Sequence, residues 1–411
     1  MIPLYVRAQW VALSLFLCLF SSVLSAQSPA YVYSGAMGVN DGSSWQNAFT
    51  DLQSAIATAS GDIWVAAGTY KPSAYPVGCT GCATERDFTF QLKNGVSLYG
   101  GFAGTETMLS QRDIAANPTI LSGDIGTVGD SLDNVHHVVL AAFADSIPTT
   151  RLDGFTIIEG NADVNTNIMV NGATIRRDNG GGIYTKDGTN TLTNNSLSRN
   201  TASNSGGGIY FYEGTNTLTN NSLSGNTASN SGGGIYTKDG TNTLTNNSLS
   251  GNTSSNGGGI LFAGGTHILT NNSLSGNTAE YDGGGILFFG GTHILTNSII
   301  WGNSSGIRNG GGTLTVTYSI VQGGFTGEGN LDADPLFVNQ PPQGLGTSGD
   351  LRLQVCSPAI NAGNDADVPM GITTDLDGND RIFDGTVDMG AYELQVVASN
   401  LYYVDANATG G

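Results

Sequence analysis

The sequence predicts an all-β solenoid, a parallel β-helix, and three observations carry that expectation. A unit of about 26 residues recurs five times between residues 180 and 309. Within each unit, apolar residues alternate with polar ones at the period of a strand. Gly, Ser, Thr and Asn dominate, and these are poor helix formers. The Gly triplets begin at Gly180, Gly206, Gly232, Gly257 and Gly283, in steps of 26, 26, 25 and 26. One unit is too small to bury its own apolar face, so each must stack on its neighbours.

Composition narrows the class further. Of 411 residues, 61 are Gly, 39% are hydrophobic and 11% are charged. Regularly spaced Ile, Leu and Val supply a core, which argues against disorder. No G-X-Y period marks collagen, and no heptad marks a coiled coil. The balance of 14 basic to 33 acidic residues, net −19, opposes nucleic acid or an anionic membrane as partner.

The first segment is an address. Residues 1–26 carry Arg7, then the apolar run Val11–Phe20, then SSVLSA, the form of a secretory signal peptide. The apolar run is shorter than the ~20 residues a membrane span needs, and no later stretch is apolar enough. Three Cys follow the leader: Cys79, Cys82 and Cys356. Export favours a Cys79–Cys82 disulfide and leaves Cys356 as a buried thiol. A zinc site would need a second such pair.

Residues 27–60 form an N-terminal cap. Thr50-Asp51-Leu52-Gln53 has capping-box form with Thr50 as N-cap, and Leu52, Ala55, Ile56 and Ala59 follow helical spacing. That helix covers the exposed edge of the first rung. Residues 61–327 form the β-helix. Weak rungs are expected at 61–70, 96–102, 117–124, 136–143 and 151–161, then an irregular loop to Asp178, then the regular repeats. Each repeat holds about three short strands. Ile183 and residue 185 point inward with Tyr184 outward. Leu192 and Leu197 can both point inward only across a bend at Asn194-Asn195.

The inward columns are then Ile183, Ile209, Ile235, Ile260, Ile286; Leu192, Leu218, Leu244, Leu269, Leu295; and Leu197, Leu223, Leu249, Leu274, Ile300. Asn200, Asn226, Asn252, Asn277 and Asn303 recur at a turn and suit a side-chain amide ladder. Residues 328–394 are a Gly- and Asp-rich closing segment. Residues 395–411 repeat the opening of the mature chain: Tyr403, Val404, Ala408 and Gly410 align with Tyr31, Val32, Ala36 and Gly38. This reads as the start of a second unit in a truncated frame, poorly packed after about Gln395, or as a frayed tail.

The motifs DGSSWQNAFTDLQSAI (41–56), VSLYGGFAGTET (96–107), NPTILSGDIG (117–126), LDGFTI (152–157), NLDADPLF (330–337), SPAINAGN (357–364) and TTDLDGNDRIFDGTVDMGAYE (373–393) run through nearly the whole mature chain. With them the sequence resembles right-handed parallel β-helix proteins of the pectin-lyase-like superfamily, specifically bacterial surface proteins with a choice-of-anchor Q domain. The GGGI and LSxN units also resemble repeats of chlamydial polymorphic outer-membrane proteins, in architecture alone. The resemblance implies a right-handed coil and a secreted or cell-surface location. It admits two functions: an adhesin or scaffold that binds glycans, and a polysaccharide lyase or glycoside hydrolase.

The candidate sites weigh between them. Lyase or hydrolase chemistry needs carboxylates, Arg or Lys, or Ca²⁺, clustered on one outer sheet. Residues 180–309 hold four basic and five acidic side chains. Lys186-Asp187 and Lys238-Asp239 are copies at one loop position, and His267 and His293 are copies that read as a stack. No catalytic residue is assigned. Tyr184, Tyr210, Tyr236, Leu261 and Leu287 form an outward column, either a packing ladder or a sugar platform. The Thr191/Thr193 pattern recurs at Thr217/Thr219 and Thr243/Thr245 and is interrupted by Ile268 and Ile294. Between Glu328 and Glu393 there are 12 acids and two Arg. There Asp375, Asp377 and Asp380 are the candidate metal ligands, for Ca²⁺, or else a turn whose carboxylates cap backbone amides. No other cofactor is expected. The function expected is that of an exported, non-enzymatic surface or extracellular scaffold whose partner is a glycan or matrix.

Overall fold

The computed structural model describes residues 28–143, 149–344 and 346–396. The leader and nearly all of the repeated opening motif at 395–411 lie outside the described residues.

The described chain coils into a right-handed parallel β-helix. Among the described residues, long sheets run its length: ten strands from Ala30–Val32 to Thr313–Thr317, nine from Gly68–Tyr70 to Ile320–Val321, and eight from Phe90–Gln91 to Ile307–Asn309. One repeat contributes Ile209–Tyr212, Thr215–Thr219, Ser222–Ser224 and the two-residue strand Thr227–Ala228, so a short fourth strand joins the three expected. On the three long sheets the repeats pair in register, as in Ile209 with Ile235 and Leu218 with Leu244, while the short fourth strand shifts register between Ser254 and Asn256.

The bend between Leu192 and Leu197 lies at Asn194, whose φ is 54°, and the equivalent Asn220, Asn246, Asn271 and Asn297 share that conformation. The Gly triplets serve close approach. A Cβ on Gly207 would sit 2.3 Å from the Thr227 carbonyl oxygen, so only Gly fits where two stretches of backbone meet. All three apolar columns face inward and are buried.

Three Asn ladders lie at the corners. Asn200, Asn226, Asn252, Asn277 and Asn303 form one, with side-chain amide contacts of 2.9–3.1 Å. Asn195, Asn221, Asn247 and Asn272 form the second, continued by Ser298 and Ser319. Asn190, Asn216 and Asn242 form the third, which meets His267 Nδ1 at 2.9 Å. Each interior amide finds both donors and acceptors on adjacent rungs, so these buried polar groups carry no desolvation penalty of an unmade bond.

Three expectations are corrected. The capping helix α1 (Leu52–Thr58) starts one residue later: Asp51, not Thr50, is the N-cap and accepts from Ser54 N at 2.9 Å. Gln53 instead donates to the carbonyls of Ala74 and Thr89, tying the helix to the coil. Cys79 and Cys82 are bonded, but Cys356 is exposed. The stretch before Asp178 is an antiparallel hairpin, Asn167–Val170 with Ala173–Arg176, turned at Asn171-Gly172 with φ of 50° and 80°. That Asn-Gly pair between apolar runs is a strong hairpin signal. The closing segment also packs on the coil. It folds back along the side of the coil, where Asn246, Asn271 and Asn297 donate to the carbonyls of Thr374, Asp388 and Asn364.

Candidate functional site

The arginine charge on the coil is committed to pairs. Each Arg among the described residues lies within ion-pair reach of a carboxylate. Arg177 grips buried Asp87 at 2.6 and 2.8 Å, and Arg112 meets Asp153 at 2.6 Å. Arg86 reaches Asp163 at 2.7 Å and also donates to the carbonyls of Asn134 and Asn161. Arg176, Arg199, Arg308 and Arg352 pair with Asp178, Glu159, Asp282 and Asp350. The duplicated Lys186 and Lys238 lie over the Tyr212 ring from the rungs on either side, at 4.9 and 4.8 Å from its centroid. Both faces of that ring are therefore occupied by cations.

The four His are interior. His267 and His293 stack at 5.1 Å, as their equivalence predicts, and lie against Phe262 and Phe288. Burial pushes His136, His137 and His267 down to about 4. None of the three carries charge near neutral pH.

The outward Tyr column is a packing ladder over its first rungs. Tyr184, Tyr210 and Tyr236 stack at 4.9 and 5.1 Å. Ile168, Val170 and Ile175 of the hairpin cover Tyr184 and Tyr210, which leaves those two buried. The hairpin is fastened in turn by the Cys79–Cys82 loop, whose Cys79–Thr80 strand pairs with it, and by Arg177.

The Thr pattern is wider than the sequence reading gave. On the ten-stranded sheet Thr189, Thr215, Thr241, Thr266, Thr292 and Thr313 form an unbroken outer column. Beside it run Thr191, Thr217, Thr243, Ile268, Ile294 and Thr315. Both columns present a flat uncharged face with rungs ~4.8 Å apart. The third column, which includes Thr193 and Thr219, is buried at Thr245, Thr270 and Thr296. The closing segment meets it there, with Thr296 Oγ1 donating to Asp367 at 2.9 Å.

The acidic turn resolves into a hub that sequence reasoning missed. Arg381 is fully buried and donates to the carbonyls of Gly390 and Asp388, with Glu393 at 3.1 Å. Asp388 accepts from Asn361 N and Leu394 N. Glu393 accepts from Phe383 N and Asp388 N. Burial, with the neighbouring Asp388 carboxylate, pushes Glu393 up to about 8.

Of the predicted ligands, Asp375 alone is buried. It accepts from Asn379 N and Glu393 N, both at 2.8 Å. Asp377 is exposed and lies 4.0 Å from Arg352, while Asp380 is exposed on the far side of the turn. The three do not converge, and no group of three His, Cys, Asp or Glu side chains suited to a metal ion occurs among the described residues. As placed, the donor set does not fit Ca²⁺, because Asp375 is turned to backbone amides and the other two carboxylates do not share a site with it.

Comparison with known proteins adds the following. No curated protein sequence matches the chain. No helix among the described residues is long and apolar enough to cross a membrane. Among solved structures, the crystal structure of pectate lyase Pel9A aligns with a TM-score of 0.49 and 17% identity, over 89% of this chain and 97% of that one. A family model described as "right handed beta helix region" matches residues 157–321, which include all five repeats.

Proposed function

We propose that this chain is an exported, non-enzymatic β-helix scaffold of a cell surface or extracellular matrix, adhesin-like, which binds glycans. The observation that carries the reading is the disposition of charge. A hydrolase needs two carboxylates, and a lyase needs a base with a cation, converging on substrate at one face. Here the Arg side chains are held in ion pairs, the two repeated Lys close over Tyr212, and the broad Thr face carries no charge. Such a face offers hydroxyls and methyl groups, suited to a neutral extended partner. Function lives in the site rather than the fold, so the coil itself does not argue for lyase activity. The leader-like form of residues 1–26 supports export, and the expected cleavage near residue 26 is checked by N-terminal sequencing of secreted protein. The reading is tested by applying the mature chain to immobilised glycans: retention of at least one class is expected, and retention of none overturns it.

A further inference from the structure

We infer that the N-terminal cap holds a binding cleft for a neutral pyranose segment, formed by Tyr33, Trp45 and Gln46 with the 104–105 loop. The inference rests on the glycan-binding reading and deepens it. The cleft has a volume of 710 Å³ and is open to solvent, within the usual range for ligand sites. Its walls are Tyr33, Met37, Trp45, Gln46 and the backbone at Gly104-Thr105, with no charged side chain.

Each wall is prepared differently. Trp45 is half-buried, and its indole Nε1 donates to the Glu106 carbonyl at 2.8 Å. Its inner side packs on Tyr31 at 4.7 Å and Phe102 at 5.5 Å, and Phe102 stacks on Trp64 at 4.8 Å. The ring is thus fixed in place by an aromatic block, and its remaining surface lines the cleft. Tyr33 is 37% exposed and lies against Gly35, where a Cβ would sit 2.9 Å from its Cζ. The facing loop is closed by the Glu106 carboxylate, which accepts from Ala103 N, Gly104 N and Thr105 N at 2.7–3.0 Å. Gln46 and Thr105 extend into solvent at the rim.

A fixed indole and a second aromatic ring beside an amide and a hydroxyl are the chemistry that holds a pyranose: C–H faces on the rings, hydroxyls on the rim. Lack of charge selects a neutral sugar over a uronate. A preorganised loop reduces the ordering cost of binding.

The test is titration of the full mature chain with cellohexaose, xylohexaose, mannohexaose and hexagalacturonate, followed by tryptophan fluorescence and calorimetry. At least one neutral hexasaccharide should bind. Tyr33→Ala and Gln46→Ala, both surface changes, should weaken it about tenfold or more with an unchanged melting temperature. Equal affinity in wild type and both variants, or a preference for hexagalacturonate, overturns this cleft while glycan binding stands. If none of the four sugars binds, the cleft falls, and if the immobilised-glycan assay is also negative the glycan-binding reading falls with it.

Discussion

The side-chain amide of Asn200 donates to Oδ1 of Asn226 at 3.0 Å, and the backbone N–H of Asn200 reaches the same oxygen at 3.2 Å. Asn226 in turn donates to Asn252 at 3.1 Å and to the Leu197 carbonyl at 3.0 Å. Each residue therefore satisfies two rungs at once. Its removal strands the rung before it.

Asn226→Ala should cost about 3 kcal/mol, because it leaves a buried amide and a backbone N–H without an acceptor. Asn230→Ala removes an exposed amide contact of similar length, 2.9 Å to Asn204, and should cost below ~0.5 kcal/mol. Urea unfolding midpoints of the two variants check this. Equal shifts would contradict the ladder as a structural element.

Thr237→Val should stabilise the chain by about 1 kcal/mol. Thr237 faces inward between Phe211 and Phe262, and its hydroxyl is buried with no hydrogen-bond partner. Valine keeps the shape and removes the unmet polar group. A loss of stability would place an unseen partner beside the hydroxyl.

Stability should peak near pH ~6.5. His137 and His267 take up protons near 6.5 when unfolded but only near 4 when folded. The unfolded chain binds more protons in that window, so stability falls as pH drops from 6.5 toward 4. Glu393 has the opposite sign: its ordinary value is 4.5, and the folded value is about 8. The folded chain keeps that proton longer, so stability also falls as pH rises through 8. His267→Asn extends the Asn190–Asn216–Asn242 column and should shallow the acid limb of a melting-temperature profile alone. Glu393→Gln should shallow the alkaline limb and, because that carboxyl begins to lose its stabilising effect above 4.5, steepen the acid limb.

The coil was legible because its period writes the same side chain into the same place five times. Ile235 and Leu244 needed no structure to be placed inside. The Asn ladder at Asn200 was legible for the same reason, while those at Asn190 and Asn195 were hidden within runs that read as strand and bend. The hairpin at Asn171-Gly172 occurs once, so repetition gave no help, although its turn chemistry was visible. Arg381 was not legible at all. Its burial depends on Asp388 and Glu393 folding back around it, a non-local arrangement that spacing does not encode. The acidic turn at Asp375, Asp377 and Asp380 read as either a cation loop or amide capping, and Asp375 does accept two backbone amides.

Chelation follows from that turn. Adding EDTA to the mature chain should leave the melting temperature unchanged, since Asp375 already has Asn379 N and Glu393 N as partners. Asp375→Asn should still destabilise, by about 1–3 kcal/mol, through weaker capping. A fall of several degrees on chelation would instead put a native-state cation on the loop.

Turnover on acidic polysaccharide tests the scaffold reading most directly. Mature protein incubated with polygalacturonate and with alginate, with and without added Ca²⁺, should yield neither new reducing ends nor unsaturated products at any time. Steady release of either product, abolished by substituting a single carboxylate, would contradict the account.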